Sequence, residues 1–182
     1  EVQDTLSAVL AWHGMKQAKI TEAEKAVHVT YFLNGKKESP LPKEERIIVP
    51  TRKDVRLFDE APEMSIEKIS REIIEKIHDP SCRFIFANFP NVDVVGHIEN
   101  EQAILRAVEA VDRHAGLVLD EARRQGLTVM VTADHGTVEK WLYPDGVIDT
   151  GHTDSPVPFI LIHDSPAMKL RRDGALTDIA PT

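Results

Sequence analysis

The second half of the chain carries the pattern that most restricts its fold, a long amphipathic helix between two short apolar strands. Residues 83–88 and 127–132 are rich in β-branched and aromatic side chains, which favour β-strands. Between them, apolar side chains recur at helical spacing over residues 100–125, at Ile104, Val108, Val111, Ala115, Val118 and Ala122. A helix that connects two strands of one sheet makes those strands parallel. We therefore predict an α/β fold with a mostly parallel sheet.

The rest of the chain predicts two more helices and three more strands. The helices begin at the capping residues Asp4 and Ser65, and they end before Gly14 and Pro80. Runs of β-branched and aromatic residues predict strands at 26–33, 46–49 and 157–162. No internal repeat or low-complexity tract accompanies them in the sequence.

Composition and charge limit the classes of function. The chain has 182 residues, 42% of them hydrophobic and 29% charged, which is typical of a soluble domain or a large part of one. Its net charge of −8 argues against nucleic acid as a partner, because nucleic-acid surfaces need clustered lysine and arginine. No apolar run approaches the length that spans a membrane, so we expect no membrane partner.

The single cysteine and the two ends of the chain indicate its setting. Cys82 cannot form an internal disulfide, so we expect a cytoplasmic protein, and we expect a monomer. The chain begins at Glu1 without an initiator methionine, and Asp178 and Pro181 resemble the opening of a helix. We therefore expect residues 1–182 to be a piece of a longer polypeptide.

Acidic and imidazole side chains follow both strands of the central pattern. Asp93 and His97 come just after the first strand, and Asp134 and His135 come just after the second. Because parallel strands end at one edge of the sheet, where α/β proteins bind ligands, we predict that both pairs meet there. His152 precedes the last strand. It reaches the same edge if that strand runs antiparallel, or if the preceding loop crosses back over the top.

These two aspartates and three histidines form the ligand mixture that suits a pair of divalent metal ions. Mixed carboxylate and imidazole ligands favour manganese, zinc or iron over magnesium. Each motif alone is more often a loop carboxylate beside a hydrogen-bonded histidine. Their predicted convergence on one edge favours a metal site, and a metal-dependent enzyme of phosphate esters is the working hypothesis.

Four segments, in the same order, resemble one enzyme family. They are residues 22–32 (EAEKAVHVTYF), 91–97 (NVDVVGH), 132–136 (TADHG) and 151–159 (GHTDSPVPF). The chain resembles the C-terminal part of the cofactor-independent (2,3-bisphosphoglycerate-independent) phosphoglycerate mutases, which belong to the alkaline phosphatase superfamily. The resemblance implies a three-layer sandwich of the alkaline phosphatase type, with a mostly parallel sheet flanked by helices. Residues 1–182 would form the C-terminal portion of its metal-binding, phosphatase-like domain.

The resemblance also implies which side chains bind metal. Asp93, His97 and His152 would bind one manganese ion (Mn2+), and Asp134 and His135 would help to bind a second. The ligand types equally admit Zn2+, Co2+ or Fe2+.

The activity implied by the resemblance is the interconversion of 3-phosphoglycerate and 2-phosphoglycerate in glycolysis, through a phosphoserine intermediate. Lys25 matches a lysine that contacts the phosphoryl group, where a cation stabilises the transferring oxygens. The family's nucleophilic serine and one further metal-binding aspartate lie in an N-terminal segment outside residues 1–182. An inserted domain with substrate-binding residues is also outside them. We therefore predict that this chain alone is inactive.

Departures from the family pattern keep two alternatives open. Thr137 replaces the asparagine that usually follows Asp-His-Gly, and Ile98 and Glu99 replace the usual threonine and glycine. One alternative is another phosphohydrolase of the same superfamily, and the other is a non-catalytic metal-binding module. The sequence that precedes Glu1 in the parent reading frame distinguishes among these possibilities.

Overall fold

In the computed structural model, which describes residues 2–165 and 167–182, the chain forms two compact units. The first unit comprises Glu1–Thr51, Glu67–Phe89 and Arg171–Thr182. The second comprises Arg52–Ile66 and Pro90–Leu170. Each unit is therefore assembled from stretches that are separate in the sequence. Among the described residues, no helix is both long enough and apolar enough to cross a membrane.

The first unit contains a three-stranded parallel sheet. Strand β1 (Lys16–Glu22) lies in the centre, between β2 (Glu44–Val49) and β3 (Cys82–Ala87). Both neighbours run parallel to β1, with Ile20 opposite Ile47 on one side and Ala87 on the other. The prediction of an α/β fold with a parallel sheet is thereby confirmed.

Two helices of this part of the chain follow their predicted bounds closely. Helix α1 (Leu6–Trp12) begins one residue later than predicted, because the hydroxyl of Thr5 accepts a hydrogen bond from the Ala8 N–H at 3.2 Å. Helix α2 (Ile66–Ile77) buries the predicted isoleucine stripe except at its end, where Ile77 is partly exposed; Ile69 has no exposed surface. Apolar spacing was sufficient to place both helices.

The prediction of a strand over residues 26–33 is wrong. The structure has a short 3-10 helix, Ala23–Lys25, followed by a π-helix, His28–Phe32. The Thr30 hydroxyl donates to the Ala26 carbonyl at 2.7 Å, a bond typical of helical backbone. This segment belongs to the connection between β1 and β2, and parallel neighbours require a crossover rather than a further strand at that point.

Strand β1 was missed because its sequence, KQAKITE, is polar. Six of its seven residues are nevertheless buried, and Gln17 and Lys19 are at most 1% exposed. Each has a partner inside the unit: the Gln17 side-chain nitrogen Nε2 donates to the Ser7 carbonyl at 2.9 Å, and the Lys19 ammonium forms an ion pair with Glu44 at 3.5 Å. Hydropathy cannot reveal a strand whose buried polar groups find partners from distant segments.

The second unit contains two helices and a two-stranded sheet. Helix α3 (Asn91–Gly96) and helix α4 (Glu101–Arg124) precede β4 (Val129–Thr132) and β5 (Phe159–Ile162). Strand β5 runs antiparallel to β4, with Phe159 opposite Thr132. The prediction that the strands on either side of α4 share one sheet is wrong, since among the described residues β3 belongs to the sheet of β1 and β2, whereas β4 pairs with β5.

The core of the second unit holds α3 against α4. Its fully or nearly buried members are Val95, Ala103, Ile104 and Ala107, with Phe58, Val92, Val138 and Trp141 packed around them. The prediction that Val108 lies on the buried stripe of α4 is wrong, because this side chain is 41% exposed. Alanines form the buried face instead, and their small side chains let α3 approach closely. This packing fixes the helix that carries the first two candidate ligands.

Candidate metal centre

Helix α3 presents Asp93 and His97 side by side. The sequence predicted both residues in a loop, but Asp93 lies in the first turn of α3 and His97 is its C-terminal cap. Residues four apart share one face of a helix, and here Asp93 Oδ1 lies 3.3 Å from His97 Nε2. The Asp93 side chain is 16% exposed and the His97 imidazole is 44% exposed, so the carboxylate is partly buried and the imidazole lies at the surface.

His152 arrives at this pair from the loop before β5. Its Nε2 lies 3.1 Å from Asp93 Oδ1 and 3.2 Å from His97 Nε2. The antiparallel course of β5 accounts for its reach, because the start of β5 lies beside the end of β4. One of the two routes left open by the sequence is therefore the one observed. The three ligand atoms all lie within 4.8 Å of one another.

Backbone carbonyls decide which ring nitrogens are free to bind. His97 Nδ1 lies 2.6 Å from the Thr150 carbonyl oxygen, and His135 Nδ1 lies 3.1 Å from the Gly136 carbonyl oxygen. A carbonyl only accepts, so each Nδ1 donates and each Nε2 keeps its lone pair. Histidines that bind metals are oriented by the same second hydrogen bond.

The donor set of Asp93, His97 and His152 fits a divalent cation. Ligand atoms at about 2.1 Å from an ion are separated by about 3.0–3.4 Å in tetrahedral or octahedral geometry. The three observed separations are 3.1, 3.2 and 3.3 Å. The half-exposed imidazoles leave one side of the cluster accessible to a further ligand.

The two remaining predicted ligands lie beside this cluster. His135 Nε2 is 3.5 Å from Asp93 Oδ1, and its ring stacks on that of His152 at a centroid distance of 3.6 Å. Asp134 Oδ1 lies 3.7 Å from His135 Nε2, and its side chain is 74% exposed. His135 therefore contacts the three-residue group directly, whereas Asp134 lies on its solvent side. Their assignment to a second ion stays a prediction.

Lys25 lies in the first unit, in the 3-10 helix that directly follows the carboxyl end of β1. Its side chain is partly buried. The contact with a phosphoryl group that the resemblance implies for Lys25 stays a prediction.

Close packing joins α3 to the segment that follows His135. A side chain at Gly96 would lie 2.8 Å from Thr137 Cγ2 and 3.0 Å from Val138 Cγ1. Glycine before His97 therefore lets the Thr137 segment pass across the end of α3. Thr137 itself is 6% exposed, so the threonine that departs from the family pattern is a buried packing residue.

Sequence reasoning missed Glu139, which lies next to the predicted ligands. The Thr153 hydroxyl donates to one of its oxygens, and the Thr137 N–H donates to the other at 2.8 Å. The pKa of Glu139 is lowered to about 2, chiefly by the hydrogen bond from Thr153. A carboxylate four residues after His135 was the only signal in the sequence, and its partner Thr153 lies 14 residues away.

Comparisons with known proteins show the family of this chain. The metalloenzyme superfamily model matches residues 1–182. The chain belongs to the metalloenzyme superfamily. This chain is 40% identical over 185 residues to the 2,3-bisphosphoglycerate-independent phosphoglycerate mutase of Thermosynechococcus vestitus. The aligned region covers 97% of this chain and 35% of that protein. The same enzyme of Moorella thermoacetica is 40% identical over 181 residues, covering 100% of the chain and 35% of that protein.

A solved structure shares the fold of this metalloenzyme superfamily member. Leishmania mexicana phosphoglycerate mutase, crystallised at low cobalt concentration, matches with a TM-score of 0.84 and 29% sequence identity. The match covers 92% of this chain and 33% of that chain. The chain thus spans about a third of the length of the relatives it matches.

Proposed function

We propose that this chain is the metal-binding segment of a cofactor-independent phosphoglycerate mutase, an isomerase that interconverts 3-phosphoglycerate and 2-phosphoglycerate. The observation that carries the proposal is the cluster of Asp93, His97 and His152, whose ligand atoms lie within 4.8 Å of one another. The named mutases at about 40% identity support the choice of reaction within the superfamily.

The residues of the cluster would hold one divalent cation, and Asp134 and His135 would contribute to a second. A divalent cation bound there supplies a Lewis acid that polarises a phosphoryl oxygen and neutralises developing charge. We propose Mn2+, with Zn2+, Co2+ and Fe2+ as ions that the same ligands accept. The carbonyl of Thr150 fixes the His97 ring, so the protein presents Nε2 without reorganising.

Lys25 would act on the phosphoryl group through its charge. An ammonium group beside transferring phosphate oxygens stabilises their charge without proton transfer. In the reaction that the resemblance implies, a serine takes the phosphoryl group and returns it to the other hydroxyl of the bound glycerate. The resemblance places that serine outside residues 1–182, so this chain alone would bind metal without turnover. The substrate is the small molecule phosphoglycerate, and the proposed setting is a cytoplasmic monomer.

Calorimetric titration of the 182-residue chain with Mn2+ tests the metal site. Asp93→Ala, His97→Ala and His152→Ala are each expected to abolish tight binding, because each removes one of three ligands. His163→Ala is the matched control, since His163 lies in the same unit and is exposed. Tight Mn2+ binding that survives all three substitutions would overturn the site.

Turnover tests the role of Lys25 in the longer polypeptide that we propose contains this segment. Lys25→Ala is expected to lower the rate of phosphoryl transfer while the Mn2+ stoichiometry stays unchanged. Lys68→Ala is the control, because Lys68 is an exposed lysine of the same unit. Equal rates in the two variants would remove Lys25 from the mechanism. Metal binding without any mutase or phosphatase turnover would favour the non-catalytic module.

A further inference from the structure

Glu139 joins the two loops that deliver His135 and His152. We propose that Glu139 is a positioning residue of the metal centre: its carboxylate fastens these loops together and so sets where the two imidazoles meet Asp93. The inference rests on the proposed metal function, which it extends to a residue that is not itself a ligand.

Both oxygens of the Glu139 carboxylate are engaged, each by a different loop. One accepts the Thr137 N–H at 2.8 Å, two residues after His135. The other accepts the Thr153 hydroxyl, one residue after His152. Glu139 is ionised at neutral pH, since its pKa is lowered to about 2, and an ionised carboxylate is the stronger acceptor.

The two loops also pair through their backbones at the same point. The Thr153 N–H donates to the Gly136 carbonyl at 3.0 Å, in an isolated antiparallel bridge. A side chain at Gly136 would collide with the Glu139 carboxylate and with the Thr153 hydroxyl. The absence of a side chain at Gly136 is therefore what lets the carboxylate lie against the bridge.

The segment that carries Glu139 is anchored to the core of the second unit. It lies in a 3-10 helix, Val138–Lys140, flanked by Val138 and Trp141, which pack against the core that holds α3. Val138 also approaches Gly96 at the end of α3. The carboxylate thus ties both ligand-bearing loops to the helix that carries Asp93 and His97.

The positions of the stacked His135 and His152 rings depend on the link between their loops. The His135 and His152 rings are separated by 3.6 Å and inclined by 16°, and both Nε2 atoms face Asp93 Oδ1. Separation of the loops would displace one imidazole from the carboxylate. Because Glu139 itself is exposed, its replacement removes hydrogen bonds without opening a cavity in the core.

Metal affinity is the first measurement. In the 182-residue chain, Glu139→Ala is expected to weaken Mn2+ binding about tenfold or more, as loss of an orienting partner does at other metal sites. Glu139→Gln keeps one acceptor oxygen and is expected to recover part of that loss. Glu109→Ala, an exposed glutamate on α4, is the control and is expected to match wild type. Equal Mn2+ affinities for Glu139→Ala and Glu109→Ala would overturn the proposal.

Amide hydrogen exchange of the metal-free chain is the second measurement, and it does not depend on metal. Glu139→Ala is expected to speed exchange at Thr137 and Thr153 about tenfold, with α4 amides unchanged. Unchanged exchange at both amides would overturn the proposal whatever the affinities are. If wild type binds no Mn2+, the proposed metal function fails by itself, and faster exchange in Glu139→Ala still supports the link between the loops.

Discussion

The buried ion pair in the first unit predicts that replacement of its acidic partner destabilises the chain more than replacement of its basic partner. Lys19 and Glu44 lie on adjacent strands with side chains 1% and 0% exposed, and their charged atoms are 3.5 Å apart. Glu44 has three further donors: Arg46 Nε at 2.6 Å, Asn34 Nδ2 at 2.8 Å and the Leu41 N–H at 3.1 Å. Lys19 has Asn34 Oδ1 as its second described acceptor.

Removal of Glu44 is therefore expected to lower the free energy of unfolding more than removal of Lys19 does. Glu44→Gln leaves a buried ammonium without its counter-charge, which costs about 3–5 kcal/mol of unfolding free energy. Lys19→Met fills the same volume and leaves Glu44 paired with Arg46, so the loss is about 1–3 kcal/mol. Burial already lowers the pKa of Lys19, which shows that its charged form is disfavoured there.

Urea unfolding followed by circular dichroism measures both variants at neutral pH. The matched control is Glu67→Gln, because Glu67 forms an exposed pair with Arg71 on α2 and its loss costs less than about 0.5 kcal/mol. The reasoning is refuted if Lys19→Met destabilises the chain as much as Glu44→Gln does, or more.

The pH dependence of the Glu44 variant provides an internal check. Burial acts to raise the pKa of Glu44, but hydrogen bonds from Arg46, Asn34 and Leu41 outweigh it and hold the pKa below its usual 4.5. A depressed carboxyl pKa gives stability that is present above pH 4.5 and is lost as pH falls through the lower folded value. The stability gap between wild type and Glu44→Gln is therefore expected to narrow below pH 4.5. A gap that widens there contradicts the assignment.

Four further substitutions, in two matched pairs, test packing around the site and in the first unit. Gly96→Ala is expected to lower stability by about 1–3 kcal/mol, because the new methyl group would lie 2.8 Å from Thr137 Cγ2. At Gly116 on α4, an added methyl group would have no neighbour within 4 Å, so Gly116→Ala is expected to raise stability by up to about 1 kcal/mol. Changes of the same sign in the unfolding temperatures of the two glycine variants would contradict the argument. Ile69→Ala removes a side chain with no exposed surface and is expected to cost about 2–5 kcal/mol in urea unfolding, against a smaller loss for the partly exposed Ile77→Ala.

The elements that could be predicted from sequence are those whose burial is apolar. The isoleucines of α2 repeat at the helical period, and β3 contains the short apolar run Phe84, Ile85 and Phe86, so the positions of both elements follow from hydropathy. Strand β1 breaks that rule because Lys19 and Gln17 are buried through partners on β2 and α1 that no local window contains. The segment 26–33 fails for a related reason, since its β-branched composition favours a strand but its place in a crossover requires a turn of helix.

The predicted ligands lie close together because of tertiary contacts that the periodicity of the sequence does not reveal. The prediction relied on two parallel strands of one sheet, yet among the described residues β3 and β4 belong to separate sheets. Asp93 and His135 nevertheless approach to 3.5 Å, because Thr137 and Val138 pack across Gly96 at the end of α3. The sequence identified the ligand residues, but their proximity depends on the packing of Thr137 and Val138 against Gly96 and on the antiparallel course of β5. Loss of that contact in Gly96→Ala is thus expected to weaken Mn2+ binding as well as stability. Wild-type Mn2+ affinity in that variant would show that the sheet edge, rather than the helix end, holds the histidines together.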